Sequence, residues 1–227
     1  MKRTIQSVYR RQLGLRGFLT IAASLCSIFV AQAIPASLGP GGFVFPPPPG
    51  VSPTGTLLAT ATSPFLSTSL NGTLISSVYS GDSTSPLSGL TFTYQIILSP
   101  NSPSAVSQLS VSRFGSFATD VSFFSGSAAN VQPSFISRSS EGSGTGDVMQ
   151  FHFGAPGPTE SLLPGGISSL LIVQTDAHNL QVTTASIIDG VAVPNISSFA
   201  PLSVPEPGTA VLGIVGFALF AVARRKK

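Results

Sequence analysis

Between Thr56 and Ser203 the apolar runs are short, and each is closed by Gly, Ser, Pro, Asn or Asp before a helical period can establish itself. A chain punctuated in this way can bury its apolar side chains only by pairing extended segments. The clearest segment is Leu90 to Leu98: Leu90, Phe92, Tyr94, Ile96 and Leu98 share one face, and Thr91, Thr93 and Gln95 share the other. That alternation predicts a half-buried strand. In Phe117 to Phe124, Phe117, Val121 and Phe123 likewise oppose Asp120 and Ser122, whereas Leu170 to Val173 is continuously apolar and predicts a central strand buried on both faces. Asp189-Gly190 stands between Ile187-Ile188 and Val191-Ala192-Val193, a two-residue hairpin signal, because Asp and Gly tolerate the positive φ such turns require. Gly72 to Tyr79, Val106 to Phe114, Val148 to Phe153 and Asn179 to Ala185 are further strand candidates. Eight or nine strands without a helix predict an all-β fold. We expect an antiparallel β-sandwich, with a jelly roll or barrel as the alternative.

Upstream, residues 34–55 hold Pro40-Gly41-Gly42 and Pro46 to Pro49 followed by Gly50, which predicts an extended Pro/Gly-rich linker with ordered structure beginning near Thr56. The β-rich ectodomain is then 56–203, with no repeat of fixed period.

The two ends carry most of the positive charge. Lys2, Arg3, Arg10, Arg11 and Arg16 precede an apolar stretch from Phe18 to Ala31, and Ala31-Gln32-Ala33 has the small-x-small pattern of a signal peptidase site. Residues 1–33 therefore read as a signal peptide, which implies the secretion translocon and signal peptidase as partners. The only cysteine, Cys26, lies inside this leader behind Leu25, where lipoprotein processing requires a small residue; the exported chain is cysteine-free and relies on packing. At the other end, Val204-Pro205-Glu206-Pro207 precedes an apolar run over 208–223 and then Arg224, Arg225, Lys226 and Lys227. Sixteen residues make a helix of ~24 Å against a bilayer core of ~30 Å, so this transmembrane helix spans only with thinning or snorkelling flanks. The four terminal cations form a cytoplasmic anchor, and the prolines stop the helix on the far side.

This tail resembles the PEP-CTERM sorting signal of Gram-negative bacteria: a Pro-Glu-Pro tripeptide, a hydrophobic helix and a basic end, in that order. Tails of this kind are also described as the C-terminal segment of ice-binding proteins, a label for a shared sorting tail that implies nothing about ice. The resemblance implies a membrane-embedded exosortase as processing partner, Val204 to Pro207 as the recognition and processing segment, and Arg224 to Lys227 as the stop-transfer anchor. It further implies a transient single-pass inner-membrane precursor destined for the cell surface or extracellular matrix, in association with exopolysaccharide and biofilms.

Setting the ends aside reverses the charge. The formal balance of +3 rests on 11 basic residues, of which only Arg113 and Arg138 lie between Ile34 and Pro205, against seven acids: Asp82, Asp120, Glu141, Asp147, Glu160, Asp176 and Asp189. The exported part is acidic, which excludes a nucleic-acid partner. His152, in Gln150-Phe151-His152-Phe153, falls on the outer strand face opposite two phenylalanines, and His178 reads as a turn residue; neither has the company of a zinc site. Gly142-Ser143-Gly144-Thr145-Gly146 lacks both the strand before a nucleophile elbow and the Lys-Ser of a phosphate loop, and reads as a flexible loop. Asn71-Gly72-Thr73 and Asn195-Ile196-Ser197 match the N-glycosylation pattern, which arises readily by chance. No catalytic residue, metal ligand or cofactor is assigned. The leading expectation is a non-enzymatic, structural or adhesive surface protein that touches extracellular polysaccharide. A secreted carbohydrate-active hydrolase would need paired carboxylates at a cleft. Ice or carbohydrate binding on a flat Thr-rich face is the third reading, and its ice version would need Thr91 and Thr93 within a regular exposed array.

Overall fold

A computed structural model describes residues 34–140, 146–154 and 161–203. The leader with Ala31 and Ala33, the segment Val204 to Pro207, the expected helix 208–223 and the anchor Arg224 to Lys227 lie outside the described residues. Among those described there are twelve strands and no helix, hence none that could cross a membrane.

Numbered along the chain, the strands form two six-stranded sheets in which every strand pair is antiparallel. The first contains, in spatial order, β1 (Ala36–Ser37), β7 (Thr119–Phe124), β10 (Leu170–Thr175), β5 (Thr91–Leu98), β4 (Asn71–Ser80) and β3 (Thr56–Leu66). The second contains β12 (Ala192–Pro201), β11 (Leu180–Ile188), β6 (Gln108–Val111), β9 (Met149–His152), β8 (Phe135–Arg138) and β2 (Phe43–Val44). Both sheets bury one face in a common core. The inward row of β5 is the one its alternation predicts, with Phe92, Tyr94, Ile96 and Leu98 all buried. Phe92 meets Phe114 edge to face at 5.9 Å, and Tyr94 packs on Phe151 of β9 at 6.3 Å. The Tyr94 hydroxyl donates to Phe199 O of β12 at 2.8 Å, so a buried phenol has its partner in the opposite sheet. Ser76 of β4 accepts from Phe199 N at 3.2 Å and adds a second tie between the sheets.

Several expectations are corrected. The strand β3, eleven residues long, is absent from the sequence reading because Thr56–Leu66 is built of Thr, Ala, Ser and Pro as much as of apolar residues. The hairpin at Asp189-Gly190 exists, but Ile188 pairs with Ala192, which makes the loop three residues long; Gly190 sits at φ +113° and Asp189 caps Val191 N at 3.0 Å.

Residues 34–55, expected as a linker, contribute to both sheets. Ala36 and Ser37 pair with Val121 and Asp120, Leu38 joins the core, and Phe43 and Val44 pair with Ser137 and Ile136. The chain then continues along the edge of β7, where Gly50 N donates to Phe123 O at 2.6 Å and Phe123 N to Pro48 O at 3.3 Å. By Thr54 it has reached Asp82, beyond the end of β4, with Thr54 N 3.2 Å from Oδ1. A Cβ on Gly50 would fall 2.6 Å from Ser122 Oγ, on the outward side of β7, so the strap 50–54 passes over the outer face of the first sheet.

The reading of β5 and β7 as half-buried is corrected as well. Thr91, Thr93 and Ser122 face away from the core but are buried, as are Ile172 and Gln174 between them. Their small hydroxyls suit a covered face: Thr91 Oγ1 donates to Asp82 Oδ2 at 2.9 Å and Thr93 Oγ1 reaches Ser77 O at 3.5 Å. Thr91 and Thr93 are no exposed array, and the ice-binding reading fails there. The central position expected of Leu170 to Val173 is found in β10, between β7 and β5, with Leu171, Ile172 and Val173 buried and Leu170 half-buried.

Candidate functional site

The outer face of the second sheet collects the side chains with most chemical character. His152 points outward from β9 while Phe151 and Phe153 are buried, as the local alternation predicts. Antiparallel register puts Phe135 of β8 opposite His152, and the two rings stack at 3.8 Å and 8°. Ser137, two residues along β8, lies opposite Gln150, donates to its Oε1 at 3.0 Å, and stands 3.0 Å from His152 Nε2. A hydroxyl has one proton. Which of Ser137 and His152 donates in their contact is set by the imidazole tautomer. Burial pushes the His152 pKa down to about 4, so the ring is neutral at physiological pH. Beyond Ser137, Phe43 of β2 occupies the same outward row, 72 % exposed, and Phe45 follows two residues on, 51 % exposed.

Buried charge lies elsewhere. Asp82, below the strap, accepts from Thr54 N, from Thr84 N at 3.1 Å and Thr84 Oγ1 at 2.8 Å, and from Thr91 Oγ1. Burial raises its pKa, but the hydrogen bonds from Thr84, Thr54 and Thr91 together outweigh this and hold the carboxyl below its usual value. Asp120 shows the opposite balance: burial pushes it up and the Ser37 hydroxyl only partly compensates. Between them, Gln174 donates Nε2 to Thr84 Oγ1 at 3.2 Å, and its buried Oε1 has no hydrogen-bond partner.

Arg138, inward on β8 and 4 % exposed, uses all five N–H donors on neutral oxygens. Nε binds Gly146 O at 2.7 Å; Nη1 binds Leu38 O and Thr119 Oγ1, both at 3.0 Å; Nη2 binds Phe114 O at 2.6 Å and Phe117 O at 2.9 Å. Burial lowers its pKa, against the attraction of Asp176 and Asp147. The guanidinium thus fastens the first strand, the 114–119 turn and the end of the glycine-rich loop to one point. Gly146 is held at φ +71°, where a Cβ would lie 2.8 Å from Arg138 Nε; its role is close packing, and residues 141–145 lie outside the described set.

The hydrolase reading required two acids at a cleft. The groove between β3 and β12, about 400 Å³, is lined by groups such as Thr62, Pro64, Leu66, Pro194 and Asn195 and by no titratable side chain. Among the described residues no three His, Cys, Asp or Glu side chains gather as a metal site, and His178 is an exposed residue of the β10–β11 loop. Neither the Ser137–Gln150–His152 cluster nor the Arg138 hub is visible in the sequence, since both depend on partners across strands. The alternation around His152 is the only local signal.

The described sheet ends at Pro201, and Leu202 and Ser203 are exposed, so the tail leaves the edge strand β12 directly. Residues 203–227 match the family model of the PEP-CTERM protein-sorting motif. The chain carries a PEP-CTERM sorting signal. Such a signal implies an exported protein, anchored transiently in the membrane and processed there by an exosortase. The PEP-CTERM match covers the tail alone and assigns nothing to the sandwich. Comparison with curated proteins and with solved structures gives no match.

Proposed function

We propose that the chain delivers a non-enzymatic β-sandwich to the surface or extracellular matrix of a Gram-negative cell, where it serves as a structural or adhesive module in an exopolysaccharide or biofilm setting. The observation that carries this reading is the PEP-CTERM signal placed immediately after the last strand. Pro201 and Glu206 are five residues apart, at most ~17 Å of extended chain, so the processing segment presents the folded body close to the membrane. Val204 to Pro207 serve as the recognition segment, Arg224 to Lys227 as the anchor, and Ala31 and Ala33 as the signal peptidase site.

The test is an internal epitope tag followed through the native host, with the C-terminus of the mature protein sequenced. The expected outcome is loss of Arg224 to Lys227, abolished by replacing Pro205, Glu206 and Pro207 with alanine. Recovery of the intact basic end in the inner membrane would show a permanent tail anchor instead.

A further inference from the structure

We propose that the outer face of the second sheet, at its β2 edge, is a docking surface for a neutral glycan chain, which deepens the reading of the protein as a matrix component and rests on it. Register places two parallel rows on this face. One row runs across β2, β8, β9 and β6 as Phe43, Ser137, Gln150 and Ser110. The other runs across β8, β9 and β6 as Phe135, His152 and Gln108, and Phe45 follows just past the end of β2. Neighbouring strands are ~4.8 Å apart, so successive groups in a row are separated by about the length of one sugar ring.

Three properties together select the ligand. Phe43 on this face and Phe45 just past the end of its strand are exposed, and an exposed ring beside hydrogen-bonding groups fits a ligand that is itself apolar on one face and hydroxylated at its rim. The polar members are hydroxyls and amides, which both donate and accept as sugar hydroxyls do, and Ser137, Gln150 and His152 are already held in place by mutual hydrogen bonds. Among the described residues of these two rows none is charged at neutral pH: the one titratable group, His152, is half-buried under Phe135 and its burial keeps the ring neutral, so the rows offer no charge to an anionic or cationic partner. A second copy of the chain is the weaker occupant. Protein interfaces take ~20–30 residues a side, far more than this patch offers, and the edge strand β2 has only two residues with which to template strand addition.

The experiment uses the full-length protein in detergent and titrates neutral polysaccharides by affinity electrophoresis and calorimetry: α- and β-linked glucans, a galactan and a mannan, with anionic alginate for comparison. At least one neutral polymer should bind, with little dependence on salt, and alginate should not. Phe43→Ala with Phe45→Ala should weaken binding by about tenfold or more, since exposed aromatic anchors dominate such contacts. Both side chains are exposed, so folding should survive, as an unchanged circular dichroism spectrum would verify. Tyrosine at both positions should retain binding. Failure of every neutral polymer to bind, equal binding by the alanine variant, or salt-sensitive binding to alginate overturns the proposal. So does a dimer that the alanine variant converts to monomer. The C-terminal sequencing above is independent of these outcomes: a protein correctly processed and exposed that binds no glycan loses this inference and keeps the sorting function.

Discussion

Arg138 offers the sharpest test of what holds the sandwich together. Replacing it with methionine keeps the bulk of the stem and removes five donors. Leu38 O retains the Thr119 hydroxyl at 2.7 Å and Phe114 O retains Phe117 N at 3.1 Å, whereas Phe117 O and Gly146 O lose the partner described for them. Two newly unsatisfied acceptors cost about 1–3 kcal/mol each, and relief from burying a cation offsets part of this, so we expect a net loss of ~2–4 kcal/mol. In a domain of this size that lowers Tm by roughly 4–16 °C. Lysine separates the two explanations for the loss. It keeps the charge but offers three donors from a point, where the five oxygens surround a planar fork. If the hydrogen-bond fan is what matters, Arg138→Lys is at least as damaging as Arg138→Met, because the buried charge remains without its full set of partners. Urea midpoints of wild type and both variants, with m-values compared to check the unfolded state, give the order. A lysine variant close to wild type beside a badly destabilised methionine variant would falsify the fan and point to charge neutralisation of Asp147 and Asp176.

The two carboxylates on the covered face should respond to pH in opposite directions. Asp82 has its folded pKa below the unfolded value, so its stabilising contribution is present above ~pH 4 and disappears as pH falls; Asp82→Asn should lower the urea midpoint at pH 7 and flatten the acid limb. Asp120 is raised on folding, so its contribution declines as pH rises through the folded value, and Asp120→Asn should raise the midpoint at pH 7 while giving Gln174 Oε1 an N–H across the strand pair; a drop there would refute the assignment. Gly89→Ala puts a Cβ into the main chain at Thr175 to Ala177 and should destabilise by about 1–3 kcal/mol, measured by thermal denaturation. The His152 ring should titrate near pH 4 by NMR, with its stabilising contribution present above ~6.5 and lost as pH falls towards 4; a midpoint near 6.5 would contradict its packing against Phe135.

How far the chain could be read from its residues depended on where each residue's partners lie. The face of β5 that carries Phe92, Tyr94 and Ile96 was legible because alternation is a local property of the strand. So was the central position of β10, since a run without polar residues has no face to offer water. The burial of Thr91 and Thr93 was hidden, because Thr91 is met by Asp82 from the loop after β4 and Thr93 by Ser77 of the neighbouring strand, partners that alternation within β5 does not reveal. Arg138 was equally opaque: it stands among serines, and its five acceptors come from positions 38, 114, 117, 119 and 146. The sorting signal was legible in full because its recognition depends on order along the chain and requires no folding.

The tail's attachment to Pro201 also has a mechanical meaning. A pull acting through the tail enters the sandwich at the C-terminal end of β12, and a lengthwise pull runs along the axis of that strand. The β11–β12 hydrogen bonds lie across that axis, so they share the load together instead of opening one after another from the end. The Phe199 contacts to Tyr94 and Ser76 carry part of the same force into the first sheet. Suspension by an edge strand pulled lengthwise gives the body a grip that resists extraction, and the same strand pulled sideways would peel.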